Sequence, residues 1–362
     1  MKNTENTSKS RDVVKNVSFV VVPLKHAQEV KEFLVKNTLL HHDFAVKKDQ
    51  KTISFPIISG EEKIKSKFSF VTIAQVSEKE KDQNQKKGTL KDALTNVLSK
   101  QELLLLRRAY DVVGSIAILE VPKELTEKQE LLASAILQSH KNIQTVLKKA
   151  GAHEGEFRTQ KMEFLAGIDT RETVHVESGV RLKLDVEKVY YSIRMGTERL
   201  RIAQQVKEGE LILVMFSGCG PYSLILGKRT KAKEIVGIEI NPLGHKYAVE
   251  NVALNKVKNV TCLQGDVRKI VEKLEKRFDR ILMPLPKSAG EFLDCALRVA
   301  HKGTIIHLYD FLREDEFFKV HDKIKQACEE KKVLYKIVRT VKCGQHAPHM
   351  FRVCVDVVIE KI

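Results

Sequence analysis

Two apolar segments of the chain each end in residues that could bind a nucleotide-like cofactor. Leu211–Pro221 reads LILVMFSGCGP and ends in a glycine turn, and Val236–Pro242 reads VGIEINP and carries the carboxylate of Glu239. Glycine lets the backbone approach a ligand closely, and an acidic side chain about 20 residues further on can accept hydrogen bonds from ribose hydroxyls. A third apolar segment ends in Gly265-Asp266 and extends the pattern.

The glycine turn narrows the class of cofactor. It does not have the GxGxxG spacing of a dinucleotide site, and no Lys-Ser/Thr pair follows it as in a P-loop. The single pair Gly218-x-Gly220, followed by an acidic strand end, favours a site for S-adenosylmethionine.

The elements that must position these residues alternate between β and α from Arg194 onward. This alternation predicts a class I (Rossmann-like) methyltransferase domain, an α/β fold with a doubly wound seven-stranded sheet that closes in a hairpin. Ligands of such sheets bind at the carboxyl ends of the strands. The predicted strands are Leu211–Phe216, Glu234–Ile240, Val260–Gln264, Arg280–Met283, Gly303–Leu308, Val333–Val341 and Phe351–Ile359.

Two small α+β domains are expected before this sheet. Domain boundaries are predicted at 1–90, 91–193 and 194–362, with a loose tail over 1–12 and a charged linker at Glu78–Gly88. Within the second domain we expect helices at Leu94–Leu106 and Lys128–Ala150, and a strand or hairpin at Asp111–Pro122.

Charge and cysteine usage restrict partners and compartment. The chain has 362 residues, 63 Lys plus Arg and 47 Asp plus Glu, and thus a net charge of +16, which favours a polyanionic partner such as nucleic acid. Six cysteines without CxxC spacing indicate reduced thiols and no metal site. The polar N-terminus and the lack of a long apolar segment predict a cytoplasmic protein without a membrane partner.

Three segments together resemble one family, namely Phe157–Gly167 (FRTQKMEFLAG), Asp185–Ala203 (DVEKVYYSIRMGTERLRIA) and Asp279–Phe292 (DRILMPLPKSAGEF). They are similar to the archaeal and eukaryotic tRNA methyltransferases that modify N1 of guanine at position 37. The resemblance implies tRNA as partner, contacted at its anticodon loop and, through the N-terminal module, at its outer corner. We expect a monomer to suffice, because the tRNA would span several domains of one chain.

The resemblance also implies roles for individual residues. Guanine N1 carries a proton, and its removal places negative charge on O6, so the reaction requires a base near N1 and a cation near O6. Glu198 matches the family's general base and Arg158 matches its O6-stabilising arginine. Without the resemblance, Glu198 followed by Arg199 is more typical of an ion pair at a helix start than of a catalytic base. The expected RNA contacts are Tyr190, Arg199, Pro286, Lys287 and Ser288. The expected cofactor contacts are Phe216, Gly218, Gly220, Pro221, Glu239, Ile240, Asp266, Val267, Pro284, Leu285 and Arg194.

The chain departs from the family pattern at two positions. Pro284 stands where the family usually has Asn, which removes a side-chain hydrogen bond to the guanine, and Val214 replaces an acidic residue before the glycine turn. Other functions remain open from sequence: an aminocarboxypropyl transferase of the wybutosine pathway, an additional carbon methylation at position 37, or an RNA-binding protein without catalysis. The LPKSA stretch Leu285–Ala289 argues against the first of these.

Overall fold

The structure is a computed structural model that describes residues 14–41, 44–49, 51–79, 94, 98–105, 110–151, 153–347 and 349–362. The chain divides into two compact units, 1–89 and 90–362. The predicted tail 1–12, most of the linker Glu78–Gly88 and part of the predicted helix Leu94–Leu106 lie outside the described residues. The predicted boundary between residues 193 and 194 stays a prediction.

The first unit is a small α+β module built on a four-stranded antiparallel sheet. Strand β1 lies between β3 and β4, with the short β2 at the edge. Val20, Val30, Leu34 and Ile64 form its buried core with their neighbours, because the apolar faces of both helices pack on one face of the sheet. The elements are β1 (Val14–Pro23), α1 (Ala27–Lys36), β2 (Lys47–Lys48), β3 (Thr52–Ile57), α2 (Glu61–Lys67) and β4 (Thr72–Lys79).

The second unit begins with a four-stranded sheet in the order β5-β6-β7-β8, followed by a two-stranded hairpin, β9 and β10. The expected hairpin within Asp111–Pro122 is present, and Gly114 turns it with a φ of +58°. The elements are α3 (Lys100–Leu105), β5 (Tyr110–Val113), β6 (Ile116–Leu119), α4 (Gln129–Ser139), β7 (Thr145–Lys149), β8 (Met162–Gly167), β9 (Glu172–Glu177) and β10 (Val180–Asp185).

The predicted helix Lys128–Ala150 is wrong in its second half. The helix ends at Ser139, His140 is extended, and Thr145–Lys149 forms a strand parallel to β6. Thr145 and Val146 are β-branched and fully buried between β6 and β8, so long-range pairing decides their structure.

The rest of the second unit is the predicted seven-stranded sheet, with the order β13-β12-β11-β14-β15-β17-β16. The first five of these strands are parallel, and β17 runs antiparallel to both β15 and β16. The strands are β11 (Leu211–Met215), β12 (Glu234–Glu239), β13 (Val260–Gln264), β14 (Arg280–Met283), β15 (Ile305–Arg313), β16 (Leu334–Ala347) and β17 (Met350–Lys361). The helices are α5 (Gly196–Ala203), α6 (Pro221–Arg229), α7 (Pro242–Asn255), α8 (Val267–Val271), α9 (Leu293–Arg298) and α10 (Phe318–Glu330).

Helix starts follow immediately after strands β11, β12 and β13. Pro221 and Pro242 open α6 and α7, where a missing N–H costs nothing. Asn241 and Asp266 cap α7 and α8 by accepting backbone hydrogen bonds. Three helix N-termini thus face the carboxyl edge of the sheet, where their dipoles favour electron-rich ligand groups. None of the described helices combines the length and apolarity needed to cross a membrane.

Candidate active site

A cavity follows the carboxyl edge of the large sheet and contains most of the predicted cofactor contacts. The ends of β11, β12 and β14 and the starts of α6 and α8 form its walls. The predicted residues that line it are Phe216, Gly218, Pro221, Glu239, Ile240, Asp266, Val267, Pro284 and Leu285. Gly218 has a φ of +56°, a backbone conformation that residues with side chains rarely adopt, so glycine allows this turn.

Glu239 sits at the end of β12 with its carboxylate facing this cavity. Its Oε2 accepts a hydrogen bond from the Gly218 N–H at 2.6 Å, and Oε1 accepts one from the Asn241 N–H at 2.8 Å. Burial raises the pKa of Glu239, although these backbone hydrogen bonds act in the opposite direction. Additional hydroxyl donors, such as those of a ribose, would therefore stabilise its charged form.

The cavity fits an adenosine-containing cofactor in its chemistry. Glu239 places a carboxylate in the wall, so the cavity offers hydrogen-bond acceptors to the hydroxyl groups of a ribose. Phe292 adds an apolar face, with the Arg268 guanidinium 4.0 Å from its ring centroid. Apolar walls with a few fixed polar groups are typical of cofactor sites.

A second cavity, of about 700 Å³, adjoins the first one. The shared wall contains Arg158, Val189, Tyr190, Tyr191, Ser192 and Arg352. The second cavity is more polar and extends toward the β5–β6 hairpin and the turn between β16 and β17. Its size is within the range of sites that hold a nucleotide-sized ligand.

Arg158 lies on the shared wall, as expected for a group that would contact both cofactor and substrate. Its Nη2 donates to Ser288 Oγ at 3.3 Å, and no carboxylate among the described residues pairs with it. Burial lowers the pKa of the Arg158 guanidinium. Arg158, Phe216 and Lys287 also have left-handed backbone conformations, at φ of +52°, +61° and +80°, and strain of this kind concentrates at functional sites.

Glu198 lies under the cavity and does not line it. The side chain is 4% exposed and receives two hydrogen bonds from Arg201, at 2.6 and 2.7 Å. Tyr309, which does line the cavity, donates its hydroxyl to Glu198 Oε1 at 2.7 Å. The Tyr222 hydroxyl donates in turn to Tyr309 Oη at 2.9 Å. The expected base is thus one hydrogen bond removed from the cavity surface.

The Arg199 side chain is buried and forms hydrogen bonds with other residues of the protein. It is 3% exposed, and its guanidinium donates to both carboxylate oxygens of Glu177 at 2.7 and 2.6 Å and to the Ser192 carbonyl at 2.9 Å. The ring of Tyr191 lies against it, 5.2 Å from centroid to guanidinium carbon. Arg199 therefore orders the segment that carries Tyr191 and Ser192 into both cavities.

The remaining predicted residues divide between the two cavities. Tyr190 lines both, Pro286 lines the first, and Lys287 and Ser288 line the second. Arg194 does not reach the first cavity; it lines the second and is paired with Asp111 at 3.1 Å. Gly220, outside both cavities, has a φ of +87° and caps α6.

Several lining residues were not expected from sequence. Ser217, Asn241, Arg268 and Phe292 neighbour predicted residues along the chain, so the strand-end pattern could have included them. Tyr309, Phe311, His346 and Arg352 carry no local signal. They reach the cavities because β15, β16 and β17 are neighbours in the sheet.

A buried network of charges continues beneath Glu198. Arg201 donates to Asp356 at 2.7 Å, and Asp356 accepts a hydrogen bond from His307 Nδ1 at 2.6 Å. His307 Nε2 accepts from Arg280, which pairs with Glu210 at 2.8 Å. His307 is neutral in this arrangement, and burial lowers its pKa. His307, Cys354 and Asp356 lie close enough to share a metal ion, but His307 and Arg201 already engage the Asp356 carboxylate.

Comparison with known proteins identifies the family. A family model described as the TRM5/TYW2 methyltransferase domain matches residues 173–337, and a model described as the TYW2 N-terminal domain matches residues 90–170. The tRNA (guanine(37)-N(1))-methyltransferase Trm5b of Pyrococcus abyssi is 36% identical over 339 residues, which are 93% of this chain and 97% of that protein. The chain belongs to the TRM5/TYW2 methyltransferase family.

Solved structures of TRM5 and TYW2 proteins support the same assignment. A complex of aTrm5 and tRNALeu matches 94% of this chain and 99% of that chain, with 28% identity and a TM-score of 0.66. TYW2 of M. jannaschii in complex with AdoMet matches 70% of this chain and 100% of that chain, with 26% identity and a TM-score of 0.54. The family, the fold and the S-adenosylmethionine class of cofactor predicted from the sequence are thereby confirmed.

Proposed function

We propose that the protein transfers a methyl group from S-adenosylmethionine to N1 of guanine 37 in tRNA. The observation that carries the proposal is the shared wall between the cofactor cavity and the second cavity, in which Arg158 faces both. A purine that enters from the second cavity would meet the cofactor cavity at this wall. The Pyrococcus abyssi relative, named for this activity, matches over 93% of the chain, whereas the TYW2 structure matches over 70%.

The bound cofactor would supply an electrophilic methyl group on a sulfonium sulfur. Glu239 would hold the ribose through its carboxylate, and Gly218 would leave space for the backbone turn. Asp266 and Pro284–Pro286 would complete the wall of the cavity toward the target guanine. Pro284 has no side-chain donor, so backbone groups of this segment would have to contact the guanine edge.

Arg158 would stabilise the negative charge that develops on guanine O6. No carboxylate of the described chain neutralises the guanidinium, and because it is half-buried, solvent would screen its charge less than that of an exposed arginine. Removal of one such donor typically costs about 10²–10³ in rate.

Glu198 would accept the proton of N1 through Tyr309. As the proton moves from N1 to Tyr309 Oη, the Tyr309 hydroxyl passes its own proton to Glu198 Oε1 along the existing 2.7 Å hydrogen bond. The electron pair left on N1 would then accept the methyl group, and the electrons of the broken carbon–sulfur bond would remain on the cofactor sulfur. Arg201 and Arg199 are positioning residues in this scheme, since each holds a carboxylate or backbone group beneath the cavity.

The first unit, residues 1–89, would bind tRNA at its outer corner, and a monomer in the cytoplasm would suffice for the reaction. The described residues of this unit form a core of their own, as a docking module requires. A chain without residues 1–89 should need more tRNA for half-maximal rate but methylate bound tRNA at a similar rate. Equal tRNA affinity of the truncated and full chains would reject the docking role.

Mapping of the modified nucleotide tests the proposed function. A tRNA transcript with guanine at position 37 should gain one methyl group at N1 of that base, and a transcript with adenine at position 37 should gain none. Mass spectrometry separates the methyl product from the heavier aminocarboxypropyl product. Methylation that persists in the transcript with adenine at this position, or RNA binding without turnover, would contradict the proposal.

A further inference from the structure

One arginine at the junction of the two cavities is buried without a counter-charge. Arg352 on β17 is 9% exposed, yet its partners among the described residues are the Tyr190 hydroxyl, at 3.0 Å, and the face of the Phe311 ring, at 5.0 Å. The other strongly buried arginines are paired: Arg199 with Glu177 and Arg280 with Glu210. Burial of an unpaired charge is costly, so a cation in this position indicates an anionic ligand.

The wall of the second cavity contains more cationic side chains than carboxylates. Lys149 is paired with Glu120 at 3.7 Å, and Arg194 is paired with Asp111. These are the two carboxylates on the wall, so the lining retains the positive charges of Arg158, Lys287 and Arg352.

Part of the excess charge surrounds His346, near the end of β16. The His346 ring stacks on the Phe311 ring with 3.8 Å between the ring centroids, and the Arg352 guanidinium contacts the same Phe311 ring. Partial burial lowers the pKa of His346, and the nearby charges of Arg352 and Lys287, with His153 and Arg194, lower it further. A cation at His346 is thus disfavoured until an anion enters this part of the cavity.

We propose that Arg352 and Lys287 form a subsite for a phosphodiester group of the RNA substrate, next to the nucleotide whose base enters the cofactor cavity. The subsite rests on the proposed function, because RNA supplies the anion. Arg352 lines both cavities, so the carboxylate of the cofactor is the rival anion. Phe311, His346 and Lys287 line the second cavity and not the first, which places the positive groups on the RNA side.

The test compares R352Q with R352K and with R298Q, a matched loss of one positive charge on the exposed side of α9. The probe is an anticodon stem-loop RNA with guanine at position 37. R352Q should raise its Kd about tenfold at low salt, as expected for a lost charged hydrogen bond, and should reduce the slope of log K against log salt by about 0.7. R352K should keep the slope, and R298Q should keep both values.

Neutral methylphosphonates at the phosphates that flank nucleotide 37 locate the contact. One of them should weaken binding to the wild type but not to R352Q, because both changes remove the same interaction. K287Q, at an exposed position, should show a smaller effect of the same kind. It replaces R352Q as the test variant if R352Q does not fold. S-adenosylmethionine affinity should be unchanged in all variants.

Three outcomes would overturn the subsite: an unchanged salt slope in both R352Q and K287Q, equal methylphosphonate sensitivity of R352Q and wild type, or weakened cofactor binding with normal RNA binding. The last would assign the anion to the cofactor. Methyl transfer at guanine 37 with an unchanged slope would reject the subsite alone. A changed slope without transfer at guanine 37 would reject the proposed function alone.

Discussion

The molecule contains two groups of buried or half-buried arginines, one paired with carboxylates and the other without a carboxylate partner among the described residues. Beneath the sheet edge, Arg201 and Arg280 are matched by Glu198, Asp356 and Glu210. At the junction of the cavities, Arg158 and Arg352 have no carboxylate partner in the described part of the chain. The paired group holds the protein together, whereas the unpaired group has positive charge left for a ligand. Under the proposed function, charge pairing rather than burial would distinguish the arginines that stabilise the fold from those that bind a ligand.

Glu198 belongs to the paired group but has an expected catalytic role. Its substitution is therefore the strongest test of whether the paired residues serve only to stabilise the fold. E198Q keeps the shape and one oxygen for Tyr309 but cannot accept the proton. We expect kcat to fall by about 10²–10⁴ with unchanged cofactor affinity. Single-turnover methylation under saturating tRNA measures the effect.

Y309F is the partner experiment, since it removes the hydroxyl between the cavity and Glu198. It should lower kcat without weakening cofactor binding. If E198Q retains full turnover, Glu198 belongs to the structural network only.

Arg201 should matter chiefly for stability. R201M leaves both Glu198 and Asp356 without their buried cation, and loss of one partner of a buried pair typically costs about 3–5 kcal/mol. Urea denaturation measures the free energy of unfolding. K231Q, which breaks the exposed pair with Glu208, should cost less than about 1 kcal/mol. Similar losses in R201M and K231Q would remove the distinction between the network and surface pairs.

Substitution of Glu239, which we expect to bind the cofactor ribose, should have the next largest effect. E239Q keeps the volume of the side chain but replaces one acceptor oxygen with an amide donor, so one ribose hydrogen bond is lost. We expect the Kd for S-adenosylmethionine to rise about tenfold, which corresponds to roughly 1.4 kcal/mol. Calorimetric titration measures it, with E291Q on an exposed turn as the control. Equal affinities of E239Q and wild type would reject the ribose contact.

The paired network should also make the protein sensitive to acid. Burial lowers the pKa of His307, so the unfolded chain, in which histidine has a pKa of about 6.5, takes up a proton more readily. Burial opposes ionisation of Asp356, but hydrogen bonds from His307 and Arg201 lower its pKa overall. Both groups therefore stabilise the folded protein at neutral pH. This stabilisation is lost as pH falls, first that of His307 below about pH 6.5 and then that of Asp356 below about pH 4.

Thermal unfolding between pH 7.5 and 5 checks this prediction. The wild-type Tm should decrease toward pH 5, and H307N, which retains a donor for Asp356 but does not titrate, should show a smaller decrease. Parallel Tm curves for the two proteins would show that His307 is not the sensitive group.

The sequence predicted the parts of the site that depend on local pattern. Three strands end within one residue of the positions predicted from their apolar segments, at Met215, Glu239 and Gln264, and parallel pairing brings these ends to one edge. The pattern failed at Thr145–Lys149, where pairing with β6 outweighs the helical periodicity of the preceding residues.

The substrate side of the site depends on contacts that are distant in sequence. Arg352 meets Tyr190 across 162 positions, and Tyr309 meets Glu198 across 111. No local periodicity encodes those distances. The candidates Arg158 and Glu198 came from the resemblance to the family. In the structure, Arg158 has no carboxylate partner among the described residues, whereas Glu198 is paired with Arg201.

A crystal structure with S-adenosylhomocysteine and an anticodon stem-loop RNA would show where the target base binds. Guanine 37 should lie at the shared wall, with O6 within hydrogen-bond distance of the Arg158 guanidinium and N1 facing Tyr309 and Glu198. A guanine bound elsewhere, with Arg158 and Arg352 both turned away from the RNA, would contradict this prediction.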